Sequence, residues 1–280
     1  MSYKILMVHL ELGRSNTALL KVAGDLAEQC AAKVIGVAAR QPVLAISAAA
    51  GYISGEMVEL DRAEAEREAR EAETEFRDIL THRAVSLDWR CASVFTPLAD
   101  YISQEARSAD LILTTPDRGG SLLAEPRRVK IGDLVMHSGR PVLLVPETAT
   151  HLPLDRVLLA WKDSREARRA ALDALPLLKM AGHVTVAEVV RETDTADAAD
   201  ARQRLQDVIG WLAGHDIEAE PLVQISDTFD ARGLAEVAHT VRADVVVAGA
   251  YAHNRFREWV FGGVTMDLLI NPSRLTFLSH

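Results

Sequence analysis

The feature that most constrains the fold of this chain is an internal repeat. Residues 109–113 read Ala-Asp followed by three aliphatic residues, and residues 243–247 repeat that pattern 134 positions later (244 − 110). The same ungapped register pairs Asp133-Leu134 with Asp267-Leu268 and Arg140 with Arg274. Because matches at one fixed offset are the mark of a duplicated structural unit, the chain is predicted to contain one domain twice.

The two copies differ in length. Residues 5–8 match residues 157–160 at an offset of 152, so the first copy holds 18 additional residues (152 − 134), which we place within residues 41–82. A chain of 280 residues that is 49% hydrophobic is large for one compact unit and suits two units of about 140 residues. The predicted domains are residues 1–147 and 154–280, joined by a segment with a proline at each end, residues 146–153.

Strand patterns alternate with helix patterns in each copy, which is typical of a mostly parallel sheet covered on both faces. We therefore predict an α/β fold of two Rossmann-like domains, each a five-stranded, mostly parallel sheet flanked by helices. Asp163 and Glu166 have the spacing of a capping box at the start of one helix. The predicted strands are 4–10, 33–38, 87–94, 111–115, 141–145, 156–161, 184–189, 218–224, 245–248 and 275–279, and the predicted helices are 15–30, 56–82, 97–107, 167–178, 196–213 and 233–242.

A glycine-containing segment follows the ninth predicted strand. Gly249 comes directly after the aliphatic residues 245–248, and Gly262 and Gly263 follow in the same loop. Glycines let main-chain N–H groups approach an anion without a Cβ in the way, and Thr265 adds a hydroxyl group at the start of the next helix. The pattern predicts phosphate binding, and the alternative is that the glycines only form turns.

These residues resemble the nucleotide-binding signature of the universal stress proteins, Gly-x2-Gly-x9-Gly-Ser/Thr. Gly249 and Gly262 match the first and third glycines, whereas Ala252 stands at the second and Gly263 at the Ser/Thr, with Thr265 as a substitute. The resemblance implies that the C-terminal copy binds ATP or AMP, with Mg²⁺ as a companion of ATP. The predicted loop contacts are Gly249, Ala252, Gly262, Gly263, Val264 and Thr265, and Arg255 and His253 are predicted from their side-chain chemistry as further contacts to phosphate oxygens.

The resemblance also assigns a second part of the site, at the end of the first strand of the C-terminal copy. That strand ends in Trp161-Lys162-Asp163, and Lys162 occupies the position of the family's nucleoside-binding Asp. Lys162 is predicted to contact a phosphate or a ribose, and Asp163 either belongs to the site or only caps the following helix. The main chain from Ala187 to Val189 is implied to line the base pocket.

The first copy of the domain resembles one that has lost its nucleotide-binding site. In the 134-residue register, Thr115, Arg118, Arg128 and Val129 stand opposite the signature positions. A rival alignment uses Gly119 and Gly132, which are also 13 residues apart, but it abandons the match between the Ala-Asp pairs. His9-Leu10-Glu11 at the end of the first strand likewise lacks the family's Asp.

The function predicted from the resemblance is that of a tandem universal stress protein, a stress-response factor that binds a small-molecule nucleotide. Catalysis is not predicted beyond slow ATP hydrolysis, since neither a nucleophile with a base nor a Walker lysine is present. One alternative is a scaffold or interaction module that keeps the fold but binds no nucleotide. A nucleotidyl transferase or pyrophosphatase is a weaker alternative, because the glycine-serine loop after the first strand is absent.

Composition adds predictions about partners and location. A formal net charge of −9 disfavours nucleic acid and anionic membranes as partners, and the scattered histidines indicate no metal site. The beginning of the chain has no signal-peptide pattern, so the cytoplasm is predicted. Strands 141–145 and 275–279 are predicted to pair in an internal pseudo-dimer of the two copies, and no particular protein partner is indicated.

Overall fold

The computed structural model describes residues 2–42, 55–116, 128–191, 195–226, 231–250 and 274–280. The described chain separates into two compact units. The N-terminal unit contains Tyr3–Arg140 and Glu147–Leu152, and the C-terminal unit contains Pro141–Pro146 and Pro153–His280. The segment Pro141–Pro146 therefore belongs by its contacts to the C-terminal unit.

The N-terminal unit is a parallel sheet with helices packed against it. Its four strands lie in the order β3-β2-β1-β4, and all three pairings between neighbours are parallel. Leu6, Met7 and Val8 on the central strand β1 are completely buried, as expected for a strand that is covered on both faces. The strands are β1 (Ile5–Leu10), β2 (Lys33–Arg40), β3 (Leu87–Ser93) and β4 (Leu111–Thr114), and the helices are α1 (Thr17–Cys30), α2 (Gly55–Leu80), α3 (Leu98–Glu105) and α4 (Ile131–His137).

The long helix α2 packs its buried apolar residues against the sheet through its C-terminal half, and Asp61 and Glu68 pair with Arg40 at the end of β2. Its buried residues are Ala72, Phe76 and Leu80, and the Phe76 ring lies 5.5 Å from that of Trp89 on β3. The other faces of α2 carry exposed ion pairs four residues apart, such as Arg62 with Glu66. Such pairs contribute little to stability, so the packing of Phe76 and its neighbours positions this helix.

The C-terminal unit contains a six-stranded sheet in the order β5-β10-β9-β6-β7-β8. Strand β5 is antiparallel to β10, and the remaining neighbours are parallel. One core cluster joins Leu158 on β6 and Ala187 on β7 to Leu234 and Val237 on the last of the described helices. The strands are β5 (Val142–Leu144), β6 (Arg156–Ala160), β7 (His183–Arg191), β8 (Ala219–Ser226), β9 (Val245–Gly249) and β10 (Leu275–Ser279), and the helices are α5 (Arg165–Asp173), α6 (Leu175–Met180), α7 (Thr195–Ala213) and α8 (Ala231–Thr240).

The α/β class and the mostly parallel, helix-flanked sheets predicted from the sequence are confirmed. One predicted element is wrong in detail, because the helix expected over residues 167–178 is divided at Ala174 into α5 and α6. Pro176 lies in the first turn of α6 and has no N–H group with which to continue the hydrogen bonds of α5.

Candidate functional site

The predicted nucleotide-binding positions of the C-terminal unit lie at the carboxyl edge of its sheet. Ala160 at the end of β6 is paired in register with Ala187 of β7 on one side and with Ala248 of β9 on the other. From β6 the chain continues to β7, whereas β9 lies on the opposite side of β6, so the strand order switches between β6 and β9. Ligands of open α/β sheets bind at such a switch point, and Trp161 and Gly249 are the next residues along their strands.

Trp161 is anchored to the neighbouring strand by its main chain. Its N–H group donates to the carbonyl oxygen of Ala187 at 2.7 Å. The indole Nε1–H is buried and has no acceptor among the described residues. The carbonyl of Ala187 is thus already engaged, while the side chains of Ala187 and Val189 pack on the hydrophobic cluster beneath the edge.

The loop between β6 and α5 ends at the N-cap residue of α5, which is not the predicted Asp163. Ser164 is the N-cap, and its hydroxyl accepts from the N–H of Ala167 at 3.2 Å. The predicted capping box of Asp163 with Glu166 is therefore wrong by one position. Asp163 instead forms an ion pair with Arg168, and the side chain of Lys162 is exposed.

Gly249 lies against the first turn of α5. A Cβ atom at this position would come within 2.5 Å of the backbone nitrogen of Ala167 and within 2.8 Å of the carbonyl oxygen of Glu166. Real Cβ atoms essentially never approach backbone atoms this closely, so only glycine fits between β9 and α5. The sequence predicted Gly249 as a ligand contact, and the structure gives it a packing role at the same edge.

The main chain of Ala250, the residue after Gly249, forms hydrogen bonds with Ser279 and His280. The N–H of Ala250 donates to the carbonyl oxygen of Ser279 at 2.8 Å, and Nδ1 of His280 lies 3.0 Å from the carbonyl oxygen of Ala250. The hydroxyl of Ser279 donates to Asp173 at the end of α5. The other predicted loop contacts, Ala252, His253, Arg255, Gly262, Gly263, Val264 and Thr265, lie outside the described residues, as does Arg118 of the first copy.

The corresponding edge of the N-terminal unit contains a network of buried polar side chains. Nδ1 of His9 on β1 lies 2.9 Å from the hydroxyl of Thr114 on β4, and both residues are buried. Burial lowers the pKa of His9 from 6.5 to about 4, although the charge of Glu11 raises it. His9 is therefore a neutral imidazole at neutral pH.

Glu11 and Asn16 continue this network across the loop between β1 and α1. The hydroxyl of Thr115 donates to the carboxylate of Glu11 at 2.5 Å. The main-chain N–H of Glu11 donates to Oδ1 of Asn16 at 2.9 Å, and the side-chain amide of Asn16 donates back to the carbonyl of Glu11 at 3.1 Å. The nearby recess, which Arg14 and Arg128 also line, has space for about one water molecule.

Glu75 of helix α2 occupies the start of α1. Its carboxylate accepts from the main-chain N–H of Asn16 at 2.9 Å and from the hydroxyl of Thr17 at 2.6 Å. A carboxylate at a helix N-terminus is favoured by the free N–H groups and by the helix dipole. The N-terminal unit therefore supplies its own anion at this position, a contact that sequence reasoning missed because the partners are about 60 residues apart.

Replacing Glu75 with glutamine is expected to lower the free energy of unfolding by about 1 kcal/mol, because the charge opposite the start of α1 is lost. Urea denaturation of both proteins measures this difference. Glu71→Gln is the matched control, since Glu71 is exposed one turn earlier and pairs only with Arg67 among the contacts described here. An equal effect of both substitutions would contradict the assigned role of Glu75.

No helix in the described part of the chain is long and apolar enough to cross a membrane. Within the same residues, no cluster of three or more His, Cys, Asp or Glu side chains could hold a metal ion.

Comparison with known proteins gives matches to solved structures only. No family model matches the sequence, and no curated protein matches it. A universal stress protein from Archaeoglobus fulgidus DSM 4304 aligns with a TM-score of 0.71 at 15% sequence identity, over 98% of this chain and 95% of that chain. A candidate universal stress protein from Pseudomonas aeruginosa UCBPP-PA14 aligns with a TM-score of 0.59 at 16% identity, over 99% of this chain and 93% of its own.

A shorter solved structure also matches. It is a universal stress protein in complex with cAMP, and it aligns at 19% identity over 52% of this chain and 98% of its own, with a TM-score of 0.34. At these identities the similarity concerns the fold, and the bound cAMP belongs to that protein. The two long alignments cover both units, so the family prediction made from the sequence is confirmed at the level of the fold: this protein has the universal stress protein fold.

Proposed function

We propose that this protein is a stress-response factor that binds an adenine nucleotide, ATP or AMP, at the carboxyl edge of the C-terminal sheet. The observation that carries the proposal is the switch in strand order between β6 and β9 at this edge, with the first turn of α5 beside it. A helix N-terminus beside such an edge offers N–H groups to a phosphate.

The contrast between the two units supports the choice of the C-terminal one. At the N-terminal edge, polar groups of the protein itself surround the end of β1. The hydroxyl of Thr115 donates to Glu11, and the main-chain N–H of Asn16 donates to Glu75. At the C-terminal edge, the loop between β6 and α5 is shorter, and Lys162 there is exposed. The second edge thus carries a lysine beside two carboxylates that are each paired with an arginine, Asp163 with Arg168 and Glu166 with Arg165.

The proposed roles at the C-terminal site follow from chemistry. Lys162 supplies a positive charge to the phosphates, and the main chain near Ala187 and Val189 lines the base. Gly262, Gly263 and Val264 supply main-chain N–H groups, Thr265 a hydroxyl group, and Arg255 and His253 further donors to the phosphate oxygens. Mg²⁺ accompanies ATP through its phosphates. Binding needs no catalytic group, so turnover is expected to be slow or absent.

Nucleotide binding is tested on the full chain. The protein is extracted under denaturing conditions to identify any nucleotide that it carries, and ATP and AMP are then titrated by calorimetry. We expect binding of at least one of them, loss of binding in Gly262→Val, and little change in Arg128→Ala, which lies in the N-terminal copy. Equal sensitivity at both positions would refute the assignment of the active copy.

The alternative is a scaffold that keeps the fold and binds no nucleotide. It is favoured by Ala252 and Gly263 at two signature positions, by Lys162 in place of an acidic residue, and by the packing of Gly249, which explains that glycine without a ligand. Failure of both ATP and AMP to bind at millimolar concentration would decide for the scaffold.

The remaining predictions are part of the same proposal. The internal pseudo-dimer is supported by the antiparallel pairing of β5 with β10, since these are the last strands of the two copies. A cytoplasmic location and the absence of nucleic-acid partners stay predictions from the sequence.

A further inference from the structure

We infer that Asp110 and Asp244, the aspartates of the repeated Ala-Asp pair, are positioning residues that set the register between the first and fourth strands of their copies. Each aspartate lies at the amino end of its sheet, directly before β4 or β9. The register that it sets decides which residues meet at the opposite, carboxyl edge. This role holds whether or not the protein binds a nucleotide.

In the N-terminal unit, Asp110 holds the first residue of β1. Its Oδ2 accepts from the main-chain N–H of Ile5 at 2.9 Å and from that of Lys4 at 2.7 Å. The main-chain N–H of Asp110 donates in return to the carbonyl oxygen of Ile5 at 2.8 Å. Both main-chain hydrogen-bonding groups of Ile5 are thus bound by one residue.

The C-terminal unit repeats this geometry at Asp244. Its Oδ2 accepts from the main-chain N–H of Arg156 at 2.9 Å, and its own N–H donates to the carbonyl oxygen of Arg156 at 2.8 Å. Ile5 and Arg156 share neither size nor charge. The hydrogen bonds are made to main-chain groups, so the aspartate can be the same in both copies although its partner differs.

The two contacts lie at equivalent positions of the repeat. Leu6 of β1 pairs with Leu111 of β4. Val157 of β6 pairs with Val245 of β9, which follows Leu111 by the repeat offset of 134 residues (245 − 111). The first strands are therefore offset by 151 residues (157 − 6), one fewer than the 152 predicted from the apolar matches. The prediction was wrong because two aliphatic runs still match after a shift of one position.

Burial distinguishes the possible registers of these strands only weakly. Leu6, Met7 and Val8 of β1 are completely buried, and residues 157–159 of β6 are buried as well. When a strand has one face in water, a slip of one residue carries its apolar side chains into water, and this cost fixes the register. A strand covered on both faces exchanges one apolar contact for another, so the cost of a slip is smaller.

The aspartate contact supplies the missing distinction. It needs a residue whose N–H and carbonyl groups face the fourth strand, and successive residues of a strand face its two neighbours alternately. The carbonyl of Lys4, one residue before Ile5, accepts instead from the N–H of Lys33 on β2 at 2.9 Å. A slip of one residue would bring Asp110 opposite a residue that faces β2, and the paired contact would be lost. Polar residues fix the register of apolar helices in coiled coils in a similar way.

In the N-terminal unit, this register places His9 beside Thr114. His9 follows Ile5 by four residues (9 − 5), and Thr114 follows Asp110 by four (114 − 110). Nδ1 of His9 consequently lies 2.9 Å from the hydroxyl of Thr114. The aspartate thus acts on this pair from about 13 Å away along the strands.

In the C-terminal unit, the same register determines where Trp161 lies. Four residues lead from Arg156 to Ala160 and from Asp244 to Ala248, and these two alanines pair directly. Trp161 is the next residue after Ala160. Its buried indole therefore reports the register of β6 against β9 at the carboxyl edge.

The first test removes the acceptor from the N-terminal unit and observes the ring of His9 by NMR. In the parent protein the pKa of His9 is about 4. In Asp110→Ala we expect a second set of His9 signals, at about a tenth or more of the intensity, that titrates near the ordinary value of 6.5. Asp110→Asn keeps an acceptor oxygen and should restore the parent signals.

Asp133→Ala is the matched control for this test, because it removes an exposed carboxylate from the same unit. Its His9 signals should equal those of the parent. A folded Asp110→Ala protein that is less stable but has unchanged His9 signals would show that the aspartate only stabilises the sheet, and would overturn the inference.

The second test uses the two copies as controls for each other. Asp244→Ala should move the indole N–H resonance of Trp161, which Trp161→Phe identifies, and should leave the His9 signals unchanged. Asp110→Ala should have the opposite pattern, and Asp244→Asn should resemble the parent. An unmoved Trp161 resonance in folded Asp244→Ala would contradict the role of this aspartate.

Hydrogen exchange on the unmodified chain decides the case in which an alanine variant does not fold. Ile5 and Arg156 are the first residues of their strands, and strand ends commonly open with little cost. Because their N–H groups are bound by the carboxylates, we expect exchange about a hundredfold or more slower than in the unfolded chain. Exchange at the rate of the unfolded chain would show that the aspartates do not hold these strands, and would overturn the inference.

Discussion

Replacing Gly249 with valine is expected to destabilise the C-terminal unit by about 3 kcal/mol. The new Cβ would lie 2.5 Å from the backbone nitrogen of Ala167 and from the carbonyl carbon of Glu166. These atoms belong to the first turn of α5, so no side-chain rotation relieves the overlap, and the helix has to move away from β9. Urea denaturation followed by circular dichroism measures the loss.

Gly210→Ala is the matched control for this substitution. Gly210 lies inside helix α7 of the same unit, and no atom comes within 4 Å of a Cβ built there. Alanine favours a helix by about 1 kcal/mol over glycine, so this variant should be as stable as the parent or more stable. A Gly249→Val protein whose stability equals that of the parent would show that β9 and α5 are not packed as described.

Acid is expected to destabilise the protein through His9. The imidazole is buried and its pKa is lowered from 6.5 to about 4, mainly by burial. Between these two values the unfolded chain binds a proton that the folded chain does not, so the free energy of unfolding falls as the pH falls from 6.5 towards 4. A pKa shift of this size lowers the free energy of unfolding by about 3 kcal/mol, and this loss is complete below the pKa of the folded state.

The contribution of His9 is isolated by comparing two variants across this pH range. His9→Asn removes the titrating group, and its stability should depend less on pH than that of the parent. His137→Asn is the control, because His137 is exposed, with 55% of its side chain accessible beside Asp100. Carboxylates that titrate in the same range affect both variants alike. Parallel pH profiles for His9→Asn and the parent would contradict the neutral, buried imidazole.

Periodicity in the sequence was sufficient to predict the fold. The strands β1, β4, β6 and β9 are largely buried, so each contains an unbroken run of three or more apolar residues, and these runs recur between the two copies. The helix boundary at Ser164 was predicted one residue too early, because Asp163 and Ser164 are both good N-cap residues and only the backbone geometry distinguishes them.

Less of the candidate site than of the fold could be predicted from the sequence. His9 with Thr114 and Asn16 with Glu75 join residues 105 and 59 positions apart, and no local pattern links such pairs. Gly249 was predicted as a ligand contact from its spacing, but a spacing pattern does not distinguish a glycine that approaches a phosphate from one that approaches a helix backbone. The helix α5 that excludes a Cβ lies more than 70 residues before it.

Strand β5 has a consequence for how the protein folds while it is being made. Its partner β10 is translated about 130 residues later, which takes on the order of ten seconds or more at the usual speed of ribosomes. During that interval the apolar residues Val142, Leu143 and Leu144 have no β10 to pair with. The nascent chain then exposes an unpaired strand edge, to which a chaperone or another nascent chain on the same messenger RNA can bind.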